Sequence, residues 1–267
     1  EAMFVLERTM YEAARQLGVD PWELRLKNFI KPDQFPYTTA TNVTYDVGNF
    51  PNVLHRAALD CDRAGFAARK AASAEAGKLR GMGLCYYVES ILGDMEETTQ
   101  VEFTDDGVLI YVGTQSNGQG HETVFPQFLA DQSGIPADKI ALVQGDSDRI
   151  AKGGGTGGSR SVTVQNTATL ATVDVIVTAF SAFLADQEDV DADDVSFDHE
   201  TFEIAGRNLR PTMLEVADMA RQAGRTDLLT HSATITLDDR SFPNGAHVAE
   251  VEIDPQTGVV VVERYTV

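Results

Sequence analysis

Cysteine is nearly absent from this sequence: Cys61 and Cys85 are the only two in 267 residues, and they stand in unrelated surroundings. Two thiols cannot ligate an iron–sulfur cluster, which takes about four. Nor can they build a disulfide framework, so reduced, buried side chains in a cytoplasmic protein are expected. Basic residues are scarce too, with 21 Lys and Arg against 41 Asp and Glu and a formal charge of −20. An acidic surface of that size argues against nucleic acid or anionic membrane as a partner, because binding a polyanion needs clustered cations. No secretory leader is visible at the start. The most apolar stretch, residues 162–184, carries Gln165, Asn166 and Asp174, which makes it a core helix and not a membrane span.

Several catalytic signatures are also missing. Gly-x-Ser-x-Gly does not occur, so there is no nucleophile elbow. His121-Glu122 lacks a second histidine at helical spacing, since Phe125 holds that position, and this makes a poor zinc site. His55, His199, His231 and His247 are scattered and read as ordinary surface or satisfied residues. Asp146 and Asp148 follow a strand end and read as a solvated loop.

What is present is a change of pattern along the chain. Met3, Leu6, Met10, Ala13, Ala14 and Leu17 recur at helical spacing, and Gly18 ends the run. Asp20-Pro21 opens a short helix through Asn28, with an acidic cap and proline in the first turn. Residues 31–45 read as loop, and 50–76 as one further helix whose Ala/Lys-rich end marks a domain boundary near 78. Beyond it, strands are expected at 82–92, 98–103, 108–114 and 140–144, with short ones around Val195 and Phe202 and three more from Thr230 to the end. Helices are expected at 121–132, 162–185 and 213–223, the last capped by Thr212. Strands grouped in hairpins between helices predict an α+β fold with mixed helices and largely antiparallel sheets. The expected domains are 1–78, helical, and 79–267. Both termini read as cut through an element, so the chain is expected to be a piece of something larger.

Two glycine-rich segments carry the chemistry: Gly118-Gln119-Gly120-His121-Glu122-Thr123, and Gly153-Gly154-Gly155-Thr156-Gly157-Gly158-Ser159-Arg160-Ser161. Each runs into a predicted helix. A glycine turn feeding a helix start presents unpaired N–H groups and the positive end of the helix dipole, which together form an anion site. Two such cradles suggest a ligand with more than one phosphate-like group. Gln119 between two glycines can bring its amide close to a ligand, and Ser159, Ser161 and Arg160 offer two hydroxyls and a bidentate cation. The second segment contains Gly-x-Gly-x-x-Gly, yet residues 145–152 separate it from the preceding strand, against a nicotinamide fingerprint. Ser159-Arg160 stands where a phosphate-binding Walker loop needs Lys-Ser/Thr.

At these residues the sequence resembles the large subunit of molybdenum hydroxylases of the xanthine dehydrogenase family, and within it the aerobic carbon monoxide dehydrogenase type. The resemblance rests on residues 116–123, 134–140 and 155–161, with residues 17–30, Phe35-Pro36-Tyr37, Tyr45-Asp46-Val47-Gly48 and Pro243-Asn244-Gly245-Ala246-His247 collinear around them. It implies a molybdopterin cofactor, in the cytosine dinucleotide form usual in bacteria. By position, Gln119 corresponds to the family's glutamine beside the metal's oxo ligand. Gly120 and His121 would line the pterin side, and Gly158, Ser159, Arg160 and Ser161 the second cofactor loop. The implied reaction is oxidative hydroxylation of a small substrate (an aldehyde, an N-heterocycle or carbon monoxide) with water as oxygen source. Electrons would leave through an iron–sulfur small subunit and an FAD-binding medium subunit, so an oligomer is expected. The family's catalytic glutamate and active-site loop fall outside Glu1 to Val267, so no catalytic residue and no direct metal ligand are assigned, and the segment alone is expected to be inactive and empty. Gly157 stands where carbon monoxide oxidisers tend to carry a bulkier residue. The competing readings are a non-catalytic binding or scaffold module, with both cradles as plain loops, and a nicotinamide-dependent dehydrogenase.

Overall fold

The computed structural model describes residues 2–267. In chain order the elements are α1 (Ala2–Leu17), α2 (Pro21–Asn28), β1 (Tyr37–Thr38), β2 (Thr44–Tyr45), α3 (Phe50–Asp60), α4 (Phe66–Glu75), β3 (Leu79–Val88), β4 (Glu96–Phe103) and β5 (Val108–Val112). They continue as α5 (His121–Ser133), β6 (Ile140–Val143), α6 (Ser161–Glu188), β7 (Val195–Phe197), β8 (Phe202–Ile204), α7 (Met213–Gln222), β9 (Thr230–Thr236), β10 (Asn244–Ile253) and β11 (Val260–Thr266). Two compact units divide the chain. Ser241–Val267 returns to the unit that ends at Ser90, and Ile91–Arg240 forms the other.

In the first unit the sheet order is β11-β10-β3, all antiparallel. Trp22, Phe50, Leu54, Leu84, Tyr86 and Val248 form its core. Asp20 starts α2 as expected, accepting from the amides of Trp22 at 2.8 Å and Glu23 at 3.2 Å. The single helix expected over 50–76 is two. Asp62 takes a left-handed backbone (φ 47°) and its carboxylate accepts from Gly65 N, while Arg69 bonds both that carboxylate and the Asp62 carbonyl. An aspartate that offers its neighbours a side-chain acceptor competes with the helical ladder, and helical periodicity carries no trace of it. Residues 37–45, expected as loop, contain the two-strand ribbon β1–β2. The boundary expected near 78 also differs: β3 belongs with the preceding helices because it pairs along its whole length with β10. Composition registers the turn after α4 but not a pairing partner over 150 residues away.

The second unit is built on a four-stranded sheet, β6-β5-β4-β9. β4 pairs antiparallel with β5 and β9, whereas β5 and β6 run parallel with α5 as the crossover. α6 covers the sheet, packing Val173, Ile176, Phe180 and Leu184 among Val101, Phe103 and Ile110. It is long and apolar enough to cross a membrane, yet more than half of its most apolar window is buried inside the fold. A polar stripe rivets it to β4: Gln165 donates to the Thr98 carbonyl at 3.0 Å and to Thr99 Oγ1 at 2.7 Å, and Thr172 Oγ1 donates to the Thr99 carbonyl at 3.1 Å. α7 begins with the reciprocal Thr212–Glu215 capping box. This mixture of helices with antiparallel and mixed sheets is the α+β arrangement read from the sequence.

Candidate functional site: two laced backbone cradles

β5 and β6 are adjacent and parallel, so their C-terminal ends open on the same edge of the sheet. The helices that follow these two strands begin near that edge, and a helix N-terminus favours an anion. The loop after β5 enters α5 at Gly120, and the loop after β6 enters α6 at Arg160; no side chain caps either helix.

The glycines divide into two groups by what surrounds them. At the stem, an added Cβ on Gly113 would stand 2.5 Å from Gly153 Cα, and one on Gly158 2.6 Å from the Leu92 carbonyl oxygen. These positions let backbone touch backbone. At the tips, Gly118 (φ 101°), Gly120 (φ 82°), Gly155 (φ 71°) and Gly157 have no atom within 4 Å of an added Cβ, so they face open space. The stems are stitched together. Thr156 Oγ1 donates to the Gln115 carbonyl at 2.6 Å and accepts from its amide at 3.0 Å, and Gly155 N donates to the Gly113 carbonyl at 3.3 Å.

A side-chain network organises the start of α5. Gln144 Oε1 accepts from Ser116 N at 3.0 Å and its Nε2 donates to Glu122 at 3.0 Å, which fixes its orientation. Its Oε1 therefore faces His121 Nδ1 (3.4 Å) as acceptor, so the imidazole proton sits on Nδ1. His121 Nε2 is then the acceptor for Gln119 Nε2 at 3.1 Å, and Gln119 Oε1 accepts from Asn117 N. His121 is 1% exposed and its ring lies 4.6 Å from Phe125.

The second loop holds Gly158, Ser159 (left-handed, φ 58°, exposed) and Ser161, whose hydroxyl donates to Thr156 Oγ1 at 3.2 Å. Arg160 requires a correction. Expected to grip a ligand phosphate, it is 1% exposed with its guanidinium already committed. It pairs with Glu97 at 3.0 Å and donates to the carbonyls of Glu96 at 2.9 Å, Gly155 at 2.7 Å and Asp94. Four of its five N–H donors are used within the protein. The other two cations of the loop are paired as well. Arg149 bonds Glu102 and lies 4.5 Å over the Tyr111 ring, while Lys152 bonds Glu96, which holds its ammonium above the usual lysine range. Of the three cations in this loop, Arg160 is buried, whereas Arg149 and Lys152 are partnered at the surface. Sequence reasoning missed Glu97, although one signal was available: it shares the inward parity of Thr99, Val101 and Phe103 on β4.

The remaining candidates stay apart. Asp146 accepts from Asp148 N in an exposed turn, and no cluster of His, Cys, Asp or Glu suited to a metal occurs among the described residues. His231 is buried, donating to the Leu228 carbonyl at 2.8 Å, and His247 meets the Tyr265 hydroxyl at 3.1 Å. Gly153 is not at a strand-to-helix turn, since β6 ends at Val143, and the nicotinamide fingerprint fails in space as in sequence.

The second unit is a mixed α+β unit with glycine loops at two helix starts, and comparison with known proteins gives its class. Residues 59–267 match the molybdopterin cofactor-binding domain, and the chain belongs to that family. It is 31% identical over 290 residues to the carbon monoxide dehydrogenase large chain of Afipia carboxidovorans, covering 99% of this chain and 36% of that protein. It is 29% identical over 280 residues to the nicotine 6-hydroxylase large subunit of Paenarthrobacter nicotinovorans, covering 97% and 34%. Reconstituted CO dehydrogenase from Oligotropha carboxidovorans superposes with a TM-score of 0.86 at 29% identity, over 99% of this chain and 36% of the other. Quinoline 2-oxidoreductase from Pseudomonas putida 86 shares the fold, with a TM-score of 0.85 at 24% identity over 98% and 36%. The chain thus spans about a third of the length of these relatives.

Proposed function

We propose that this chain is part of the large subunit of a molybdenum hydroxylase, and that its two laced loops hold a molybdopterin dinucleotide in the cytosine form. One observation carries the reading: two uncapped helix N-termini open on one sheet edge, behind glycine loops tied together by the Gln115–Thr156 pair. The residues fit such a group. Four glycines face open space where a bulky anion needs close backbone approach, and two helix dipoles attract the charge of a pyrophosphate. Residues 156–161 would offer amides to the phosphates, with the Ser159 side chain exposed beside them. Gly120 and His121 would line the pterin, and the Gln119 amide, oriented by His121, would face the metal's side of the group. Gly158 and Arg160 act from behind, keeping the loop in shape. When bound, the cofactor supplies oxidative hydroxylation of an electron-poor carbon with oxygen from water.

The substrate class follows the relatives: carbon monoxide, an N-heterocycle or an aldehyde. The two cysteines are free and far too few for cluster ligation, so iron–sulfur centres would reside outside this chain, on a small partner subunit, and the family resemblance puts FAD on a medium one. Reduced thiols suit a cytoplasmic assembly. The test uses Gly157, which is exposed, has no left-handed φ and has free space around an added Cβ. In the complete enzyme, Gly157→Glu should cut molybdenum and cytidine nucleotide content at least tenfold, whereas Gly157→Gln, equal in size but uncharged, should retain several times more. Metal analysis and nucleotide chromatography read the outcome, and equal, wild-type contents in both variants would refute the cradle.

A further inference from the structure

We propose that Glu97 is a positioning residue for the cofactor-binding loop, a buried carboxylate around which residues 153–161 are moulded. This rests on the cradle reading above and assigns the cradle's shape to a residue on β4. Glu97 Oε2 accepts from Gly154 N at 3.1 Å and from Arg160 Nη1 at 3.0 Å, and both side chains of the pair are 1% exposed. Three glycines are required by this arrangement. A Cβ on Gly113 would fall 2.3 Å from Glu97 Oε1, one on Gly153 would strike Gly113, and one on Gly154 would lie 2.5 Å from Arg160 Nη2. Arg160 in turn gathers carbonyls from two separate segments, Asp94 and Glu96 at the start of β4 and Gly155 within the glycine run.

A buried ion pair is a poor way to gain stability, since apolar side chains of similar volume hold a core together at least as well. Geometry is what it supplies here. A run with five glycines among six residues has large conformational freedom to lose, and binding would have to meet that cost each time unless the loop is held beforehand. The Glu97–Arg160 pair fixes the loop at both ends of its glycine run, through Gly154 N at one end and the start of α6 at the other. The open amides of 156–161 are thereby set in place before any ligand arrives.

The test has two readouts. In the 267-residue chain, Glu97→Gln should speed hydrogen exchange at the bonded amides of Gly154, Gly155 and Val164 tenfold or more while β10 exchanges as in the parent. In the complete enzyme, the same substitution should speed loss of molybdenum and nucleotide on dialysis at least tenfold. It should do so well beyond Ile176→Ala, which destabilises the same unit from its core. Arg160→Lys, which keeps the charge but cannot reach three carbonyls and a carboxylate together, serves as the second variant should Glu97→Gln not fold. Unchanged exchange at Gly154, Gly155 and Val164, or cofactor loss no faster than in Ile176→Ala, overturns the proposal. Gly157→Glu separates the two ideas: if it strips the cofactor while Glu97→Gln does not, the cradle stands and the positioning role falls.

Discussion

At the scale of single residues, Glu250 is a buried carboxylate of the first unit shared by two arginines. It is buried on β10, with the guanidinium of Arg69 at 2.7 Å and that of Arg80 at 3.1 Å. Hydrogen bonding to Arg69, with further attraction from Arg80 and Arg264, holds its carboxyl below the usual carboxylate range. A group whose folded value is depressed adds stability that is complete above its unfolded value, about 4.3, and is lost as pH falls through the folded one. Glu250→Gln leaves the arginines without their shared partner and should cost about 3 kcal/mol near neutral pH. The difference from the parent should shrink as pH drops below about 4.3, a trend that urea midpoints at pH 7, 4 and 3 would register. A difference that stays constant with pH would show that the cage does not depend on the charge of Glu250.

At the scale of elements, α7 offers a clean measurement, because both halves of its capping box are formed: Thr212 N donates to Glu215 at 2.7 Å and Glu215 N to Thr212 Oγ1 at 3.3 Å. Thr212→Ala should lower stability by about 1 kcal/mol, read as a shift in urea midpoint at unchanged slope. This cap is legible in the sequence because its signal is local, a threonine followed three residues later by glutamate. The same holds for Asp20 before α2, for Gly134 after α5 and for the glycine turns that lead into α5 and α6. What escaped the sequence depends on partners far along the chain. The break between α3 and α4 hangs on Arg69 reaching back to Asp62, and Arg160 reads as a ligand-binding cation until Glu97, sixty-three residues earlier, is seen to claim it. A lone arginine after a glycine run looks the same whether its partner is a phosphate or a buried carboxylate. Only the fold distinguishes them.

At the scale of the whole chain, each unit has a core of its own. Apolar clusters are drawn from residues 101–228 in one and from 22–61, 84–86 and 246–248 in the other. The second unit leaves and returns at neighbouring points: Glu96 on β4 pairs with Thr236 on β9, and Leu237 N donates to the Met95 carbonyl at 3.1 Å. In the first unit, likewise, Glu89 N donates to the Pro243 carbonyl at 2.7 Å. A segment whose ends meet and whose core is self-contained has the anatomy of an inserted domain. Residues 91–240 produced alone should therefore fold, with a single cooperative urea transition worth about 5–10 kcal/mol and amide protection at Gly154, Gly155 and Val164 matching that in the parent chain. The complementary chain, with Ser90 joined to Ser241 through a short flexible linker, should keep the β3–β10 pairing, because the register from 79–88 to 253–244 needs nothing from the excised part. Circular dichroism and hydrogen exchange on the two pieces decide it. A disordered 91–240 segment would mean that its core, although separate in space, depends on the other unit to form, and the cradle would then have to be studied only in the intact chain.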